Sequence, residues 1–79
     1  MDQIDEQLIR LLKRRLELGL RAARIKHDAD LPIVDQEREA KVIAQAKQWA
    51  DVAGLSEQEV ADVFARLISL SRGAQLKSV

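Results

Sequence analysis

Two cations in this sequence stand where a helix would normally place apolar side chains. Arg15 interrupts an apolar row, and Lys26 follows eleven residues later. At ~3.6 residues per turn both cations lie on one face of a helix. A cation directed toward a protein core is costly unless it is paired. We therefore expect the two groups to bind a ligand that carries negative charge, most simply a dianion.

Further polar side chains occur in pairs at helical spacing. Asp35 and Glu39 are four residues apart and share a helix face, with Arg38 beside them. Ser71 and Gln75 are also four residues apart, on a later segment. Hydrogen-bonding groups at these positions are the kind that would complete a polar site around a small anion.

Each of these residues also has an ordinary structural interpretation. Arg15 can reach along the surface to water or pair with Glu39, and Lys26 can complement the dipole of a helix C-terminus. Asp35 can cap a helix, and with Arg38 it can form a surface pair worth ~0.2–0.5 kcal/mol. The Ser71 hydroxyl and the Gln75 amide can form hydrogen bonds with the backbone or with water. The residue types alone leave both interpretations open.

Other kinds of catalytic chemistry have few candidate residues. The sole histidine, His27, falls at a predicted helix end and is expected to be solvated. The chain has no cysteine, no glycine-rich phosphate loop, no metal-ligand cluster and no Ser/His/Asp set. The chain therefore has few candidate residues for metal, covalent or acid–base catalysis, and any catalysis is expected to be electrostatic.

Hydrophobic periodicity predicts three helices, of which the first runs from about Asp2 to about His27. Apolar residues recur along it at heptad spacing, with Arg15 in the gap. This row, which we call the α1 seam, is Ile4, Leu8, Leu11, Leu18, Ala22 and Ile25. A second row lies beside it, formed by Ile9, Leu12, Leu16, Leu20 and Ala23.

Capping residues set the limits of the other two helices. Asp35 is the predicted N-cap of a second helix that runs to about Val52, and Gly54 is its stop signal. Ser56 opens a third helix through a capping box and this helix runs to about Gln75. Its apolar row is Val60, Phe64, Leu67 and Ala74, and the polar residue Ser71 interrupts it between the last two. The single tryptophan of the second helix, at position 49, is expected to pack.

Composition indicates one small all-α domain over residues 1–79. Apolar residues make up 47% and charged residues 33% of the chain, which suits a folded helical protein. The formal net charge is zero, which argues against a general nucleic-acid-binding surface. No apolar run approaches the ~18 residues of a membrane span, and the N-terminus does not resemble a signal peptide. A cytoplasmic protein is expected.

The length of the first helix predicts a homodimer. At ~1.5 Å per residue it extends about 39 Å, and two shorter helices cannot cover its apolar rows. A core of this size seldom supplies more than ~3–5 kcal/mol of net stability. We expect the first helix to pack against its symmetry mate, and the alternative is a monomeric three-helix bundle.

The combined pattern resembles the AroQ-type, all-helical chorismate mutases. The matching segments are IDEQLIRLLKRRLEL (4–18), Lys26, PIVDQERE (32–39) and VFARLISLSRGAQ (63–75). The resemblance covers nearly the whole chain and implies an intertwined homodimer of three-helix chains. It also implies the isomerisation of chorismate to prephenate, an intramolecular Claisen rearrangement that uses no cofactor.

The resemblance assigns roles to the polar residues. In similar enzymes the arginine matching Arg15 binds a substrate carboxylate. The lysine matching Lys26 and the glutamine matching Gln75 hydrogen-bond the breaking ether oxygen. The acids matching Asp35 and Glu39 lie at the hydroxyl end of the substrate. The residues matching Arg38 and Ser71 help to shape the carboxylate end.

The chain departs from the family pattern at its start. Family members usually carry an arginine a few residues before the segment matching Asp2–Ile4, and it reaches into the partner's site. This sequence begins after that position: Met1 is either an internal methionine of a longer chain or a true start, and in the second case one carboxylate contact is expected to be absent. Gly73 also falls inside the last helix, where a glycine destabilises the helix by ~1 kcal/mol relative to alanine.

Other functions on the same fold remain as alternatives. Isochorismate pyruvate lyases resemble the segment around Trp49, but they carry apolar residues at the positions of Asp35 and Glu39 and usually lack the serine at Ser71. Amino-chorismate mutases are expected to differ in their hydroxyl-binding residues. A non-catalytic helical module for dimerisation or metabolite sensing would bind without turnover, or bind nothing.

Overall fold

The fold was obtained as a computed structural model, which describes residues 2–78 except for the side chain of the last of these. It contains three helices, α1 (Asp2–Asp28), α2 (Gln36–Val52) and α3 (Glu57–Ser78). No strand occurs within residues 2–78. The predicted all-α class and the number of helices are therefore confirmed.

α1 ends one residue later than predicted because a Schellman motif closes it. The Leu31 N–H donates to the Lys26 carbonyl at 2.7 Å, and the Asp30 N–H donates to the His27 carbonyl at 3.1 Å. These bonds require a left-handed residue after the helix, and Asp30 takes that role with φ of 57°. An aspartate tolerates this conformation better than most residues with a Cβ.

The predicted ends of α2 are confirmed. The Asp35 side chain accepts a hydrogen bond from the Arg38 N–H at 3.0 Å and caps the first turn. At the other end Gly54 has φ of 74°. The Gly54 N–H donates to the Asp51 carbonyl at 3.1 Å, and the Leu55 N–H donates to the Ala50 carbonyl at 2.8 Å. These two bonds complete a second Schellman motif.

α3 begins where predicted and ends later. The Glu59 N–H donates to the Ser56 hydroxyl at 3.2 Å, which confirms the N-cap. The helix passes through Gly73 and continues to Ser78, three residues beyond the predicted end at Gln75. The extension is understandable because the residues after Gln75 include leucine and lysine, which favour helix, and contain no stop signal.

The chain divides into two compact units, each described separately. One comprises the described residues up to Ile33 together with those from Gly73 onward, and the other comprises Val34–Arg72. The buried apolar residues of the described chain are all alanines: Ala23 in the first unit, and Ala46, Ala50 and Ala61 in the second. Larger apolar side chains are half-buried or exposed, so the single chain has a thin core.

Exposure of the larger apolar residues follows a pattern. In α1 the neighbouring row at Leu12, Leu16 and Leu20 is half-buried, whereas the α1 seam is exposed along its length. In α3 the predicted row is half-buried or buried. Trp49 was expected to pack, and this was wrong for the single chain: its side chain is 62% exposed. It lies at the edge of the half-buried face of α2, one residue before buried Ala50.

None of the three helices, over the residues described, is both long and apolar enough to span a membrane.

Candidate active site

One face of α1 is half-buried and contains both predicted cations. The residues of this face, which we call the α1 inner face, form two adjacent rows with steps of three or four positions: Leu12, Leu16 and Leu20 in one, and Arg15, Gly19, Ala23 and Lys26 in the other. Arg15 and Lys26 are half-buried, whereas the five other cations of α1 are exposed: Arg10, Lys13, Arg14, Arg21 and Arg24. Burial therefore distinguishes the two predicted site residues from the other cations of the same helix.

Gln75 joins this set from the last turns of α3. Its Nε2 donates a hydrogen bond to the Gly19 carbonyl at 3.2 Å, across 56 positions of sequence. The contact is partly buried. The structure therefore places the carboxamide beside the α1 inner face, between the axial levels of Arg15 and Lys26. Gly19 was not among the predicted site residues, because a glycine in a helix carries no side-chain signal of such a contact.

Asp35 and Glu39 lie on successive turns at the start of α2, in the second unit. The Glu39 N–H donates to the Asp35 carbonyl at 3.0 Å, so the two residues are stacked along the helix. Asp35 is exposed and acts as the N-cap, which was its ordinary interpretation. Arg38 is exposed, and its backbone N–H is the group capped by Asp35.

Glu39 belongs to the half-buried face of α2 and is held by an arginine that was not predicted. Arg72 of α3 bonds both carboxylate oxygens: its Nε donates to Oε2 at 3.2 Å, and its Nη2 donates to Oε1. The side chains are 24% exposed for Glu39 and 42% exposed for Arg72. Such a two-pronged contact fixes the plane of the carboxylate and balances its charge.

Ser71 is the buried polar residue among the described part of the chain, at 9% exposure. It lies on the apolar row of α3, immediately before Arg72. A buried hydroxyl is normally hydrogen-bonded, and within the described residues no buried side-chain nitrogen or oxygen lacks a partner. The predicted interruption of the apolar row by a polar group is therefore present in the fold.

Comparisons with known proteins identify the family of the chain. Residues 1–76 match the family model described as chorismate mutase type II. The chain belongs to the chorismate mutase type II family.

Among the curated relatives of this chorismate mutase-family chain are two T-proteins. The T-protein of Haemophilus influenzae is 35% identical over 68 residues, and that of Enterobacter agglomerans is 34% identical over the same length. Each match covers 86% of this chain but only 18% of the relative. The chain thus spans less than a fifth of the length of these T-proteins.

A third relative has a different name. A 3-dehydroquinate dehydratase of Pyrobaculum aerophilum is 41% identical over 58 residues, which is 73% of this chain and 19% of that protein. No solved structure matches the chain significantly.

The arrangement within each unit favours binding and electrostatic stabilisation. The first unit presents two half-buried cations and an oriented carboxamide, all of them hydrogen-bond donors. The second unit presents a carboxylate whose orientation is fixed by an arginine. Fixed donors of this kind can stabilise negative charge that develops on an oxygen atom during a reaction.

Proposed function

We propose that the chain is a chorismate mutase, which isomerises chorismate to prephenate in aromatic amino acid biosynthesis. The observation that carries the proposal is the selective burial of Arg15 and Lys26, beside the Gln75 carboxamide, in a chain of the chorismate mutase type II family. Two half-buried cations suit a substrate with two carboxylates and an ether oxygen. The other arginines and lysines of α1 are exposed.

In the proposed mechanism no proton is transferred and no covalent intermediate or cofactor is needed. The rearrangement is unimolecular, so the protein accelerates it by holding the compact conformer in which the reacting carbons meet. Arg15 binds a substrate carboxylate. Lys26 and Gln75 donate hydrogen bonds to the ether oxygen, which gains negative charge as its bond to carbon breaks.

The second set is proposed to select the hydroxyl-bearing end of the substrate. Asp35 and Glu39 accept the hydroxyl hydrogen, and Arg38 and Ser71 contribute at the carboxylate end. The contact with Arg72 supports this role for Glu39, because it balances the carboxylate charge and still leaves lone pairs for a further donor. An apolar residue at position 39 could not bind a hydroxyl group.

The active form is proposed to be an intertwined homodimer in which α1 packs along α1 of a second copy. Support comes from the α1 seam, because its large members are all more than half exposed: Ile4, Leu8, Leu11, Leu18 and Ile25. A monomer rarely leaves an apolar row of this length in water. The alanine-only core of the single chain points the same way.

The proposal is tested by following the loss of chorismate absorbance and identifying the product as prephenate through its acid conversion to phenylpyruvate. Lys26→Ala is the test variant, and Lys13→Ala, which removes an exposed lysine of the same helix, is its matched control. We expect saturable turnover that falls by ~10²–10³ in Lys26→Ala, the usual effect of losing a donor at a developing oxyanion. The control should keep its rate.

Two other results would contradict the mutase. Release of pyruvate from isochorismate, without conversion of chorismate, would indicate a lyase. Saturable binding of a bicyclic transition-state analogue without any turnover would indicate a metabolite-sensing domain. An equal rate for wild type and Lys26→Ala would remove Lys26 from the mechanism.

A further inference from the structure

We propose that Gly19 is a positioning residue for Gln75: it holds the carboxamide so that one N–H of the side chain is presented to the ligand. The expected effect on turnover rests on the proposed function, but the geometry that supports the inference is independent of the substrate. It also explains why the α1 inner face contains a residue that weakens helices.

Gly19 lies on the same helical face as the two site cations. Arg15 precedes it by four residues and Lys26 follows it by seven, so both cations are rotated to the same side of Gly19 around the helix axis, by about 40° and 20°. The axial separations are ~6 Å and ~10 Å. A group held at Gly19 is therefore delivered to the interval between the two cations.

The absence of a Cβ at position 19 is what allows this approach. A Cβ built on Gly19 would lie 2.8 Å from the Nε2 of Gln75, closer than real Cβ atoms approach other heavy atoms. The atom it would meet is the end of a flexible side chain, not backbone. An alanine is thus accommodated by displacement of the carboxamide, while the two helices stay in place.

The Gly19 carbonyl also selects which end of the carboxamide faces α1. With the amide reversed, Oε1 would face a carbonyl oxygen, and two acceptors cannot form a hydrogen bond. The observed orientation places Nε2 at 3.2 Å from that oxygen. One N–H of the amide is used there, and the second remains a donor with a fixed direction, as an ether oxygen that gains negative charge requires.

The chain offers a matched control for the substitution. Gly73 is also within a helix, and a Cβ at that position would meet nothing within 4 Å. Alanine favours helix more than glycine does, so Gly73→Ala is expected to raise the midpoint of urea unfolding and to leave Gln75 undisturbed. Gly19→Ala has the same intrinsic benefit for its helix but moves the carboxamide.

The test combines kinetics on chorismate with the side-chain amide signals of Gln75 in ¹H–¹⁵N spectra. In Gly19→Ala we expect these signals to shift and exchange faster with water, and kcat to fall by up to about 10² with a smaller change in KM. Gly73→Ala should change neither. The loss in Gly19→Ala should vanish in a Gln75→Ala background, because the residue acts through Gln75.

The outcomes separate this inference from the proposed function. Unchanged Gln75 signals in Gly19→Ala would overturn the inference, whatever the rates. Equal and additive losses in the presence and absence of Gln75 would also overturn it, because Gly19 would then act by itself. A wild-type protein that does not convert chorismate would refute the mutase, and the amide signals would still decide whether Gly19 positions Gln75.

Discussion

At the scale of single residues, burial separates the two proposed site cations of α1 from its other arginines and lysines. α1 carries seven arginines and lysines, of which Arg15 and Lys26 are half-buried on its inner face and the other five are exposed. Removing a charge from water is unfavourable unless something favourable compensates. In the proposed function an anionic ligand adds to that compensation, so we expect these two positions to be sensitive to substitution and their neighbours to be tolerant.

Arg15→Gln is expected to lower kcat/KM by about 10² or more, because glutamine cannot offer a carboxylate two charged donors in a planar fork. Arg14→Gln, at the adjacent exposed position, is the control and should stay within about twofold of wild type. Steady-state kinetics on chorismate measure both. Comparable losses in the two variants would show that general charge, and not this arginine, matters.

The contact between Glu39 and Arg72 should contribute modestly to stability. Since both side chains are partly exposed, solvent screening reduces the gain, and we expect Arg72→Met to lower the free energy of unfolding by about 1 kcal/mol. Arg66→Met, at an exposed position of the same helix, should have little effect. Urea unfolding at low and high salt provides the measurement.

The salt series makes the origin of the Arg72 effect visible. The difference between wild type and Arg72→Met should shrink as salt rises, because salt screens the ion pair. A difference that is independent of salt would assign the loss to packing of the arginine stem.

At the scale of elements, local sequence signals determined most of the fold. Asp35, Gly54 and Ser56 set three helix ends through capping chemistry that acts over a few residues, and each is found in its predicted role. α3 was predicted too short because nothing in its sequence marks an end. Local signals cannot reveal contacts such as Arg72 with Glu39, 33 positions apart, or Gln75 with Gly19.

The left-handed residue at the end of α1 offers a test of these local energetics. Asp30→Gly is expected to stabilise the protein by ~0.5–1 kcal/mol, because glycine adopts positive φ without steric cost and the acid is removed from a helix C-terminus. Asp30→Asn removes the charge but keeps a Cβ, so it should recover only part of the gain. Destabilisation by Asp30→Gly in urea would contradict this view of the motif.

At the scale of the whole molecule, the distribution of apolar surface favours association. Leu18→Glu, in the α1 seam where the side chain is 54% exposed in the single chain, should convert a dimer to a monomer in sedimentation equilibrium. Arg24→Glu, at an exposed position on the opposite side of α1, is the control and should leave the mass unchanged. A wild-type mass equal to one chain would instead support the three-helix monomer.

The sequence contains one tryptophan and no tyrosine, so its near-ultraviolet emission comes from Trp49 alone. Because that indole is already largely in water, unfolding of a single chain should shift its emission maximum only slightly. For the same reason acrylamide should quench the fluorescence readily in the native state. Any partner that covers this side of α2 should shift the emission to the blue and protect it. The exposed indole is thus a built-in optical reporter of association, and an insensitive one of folding.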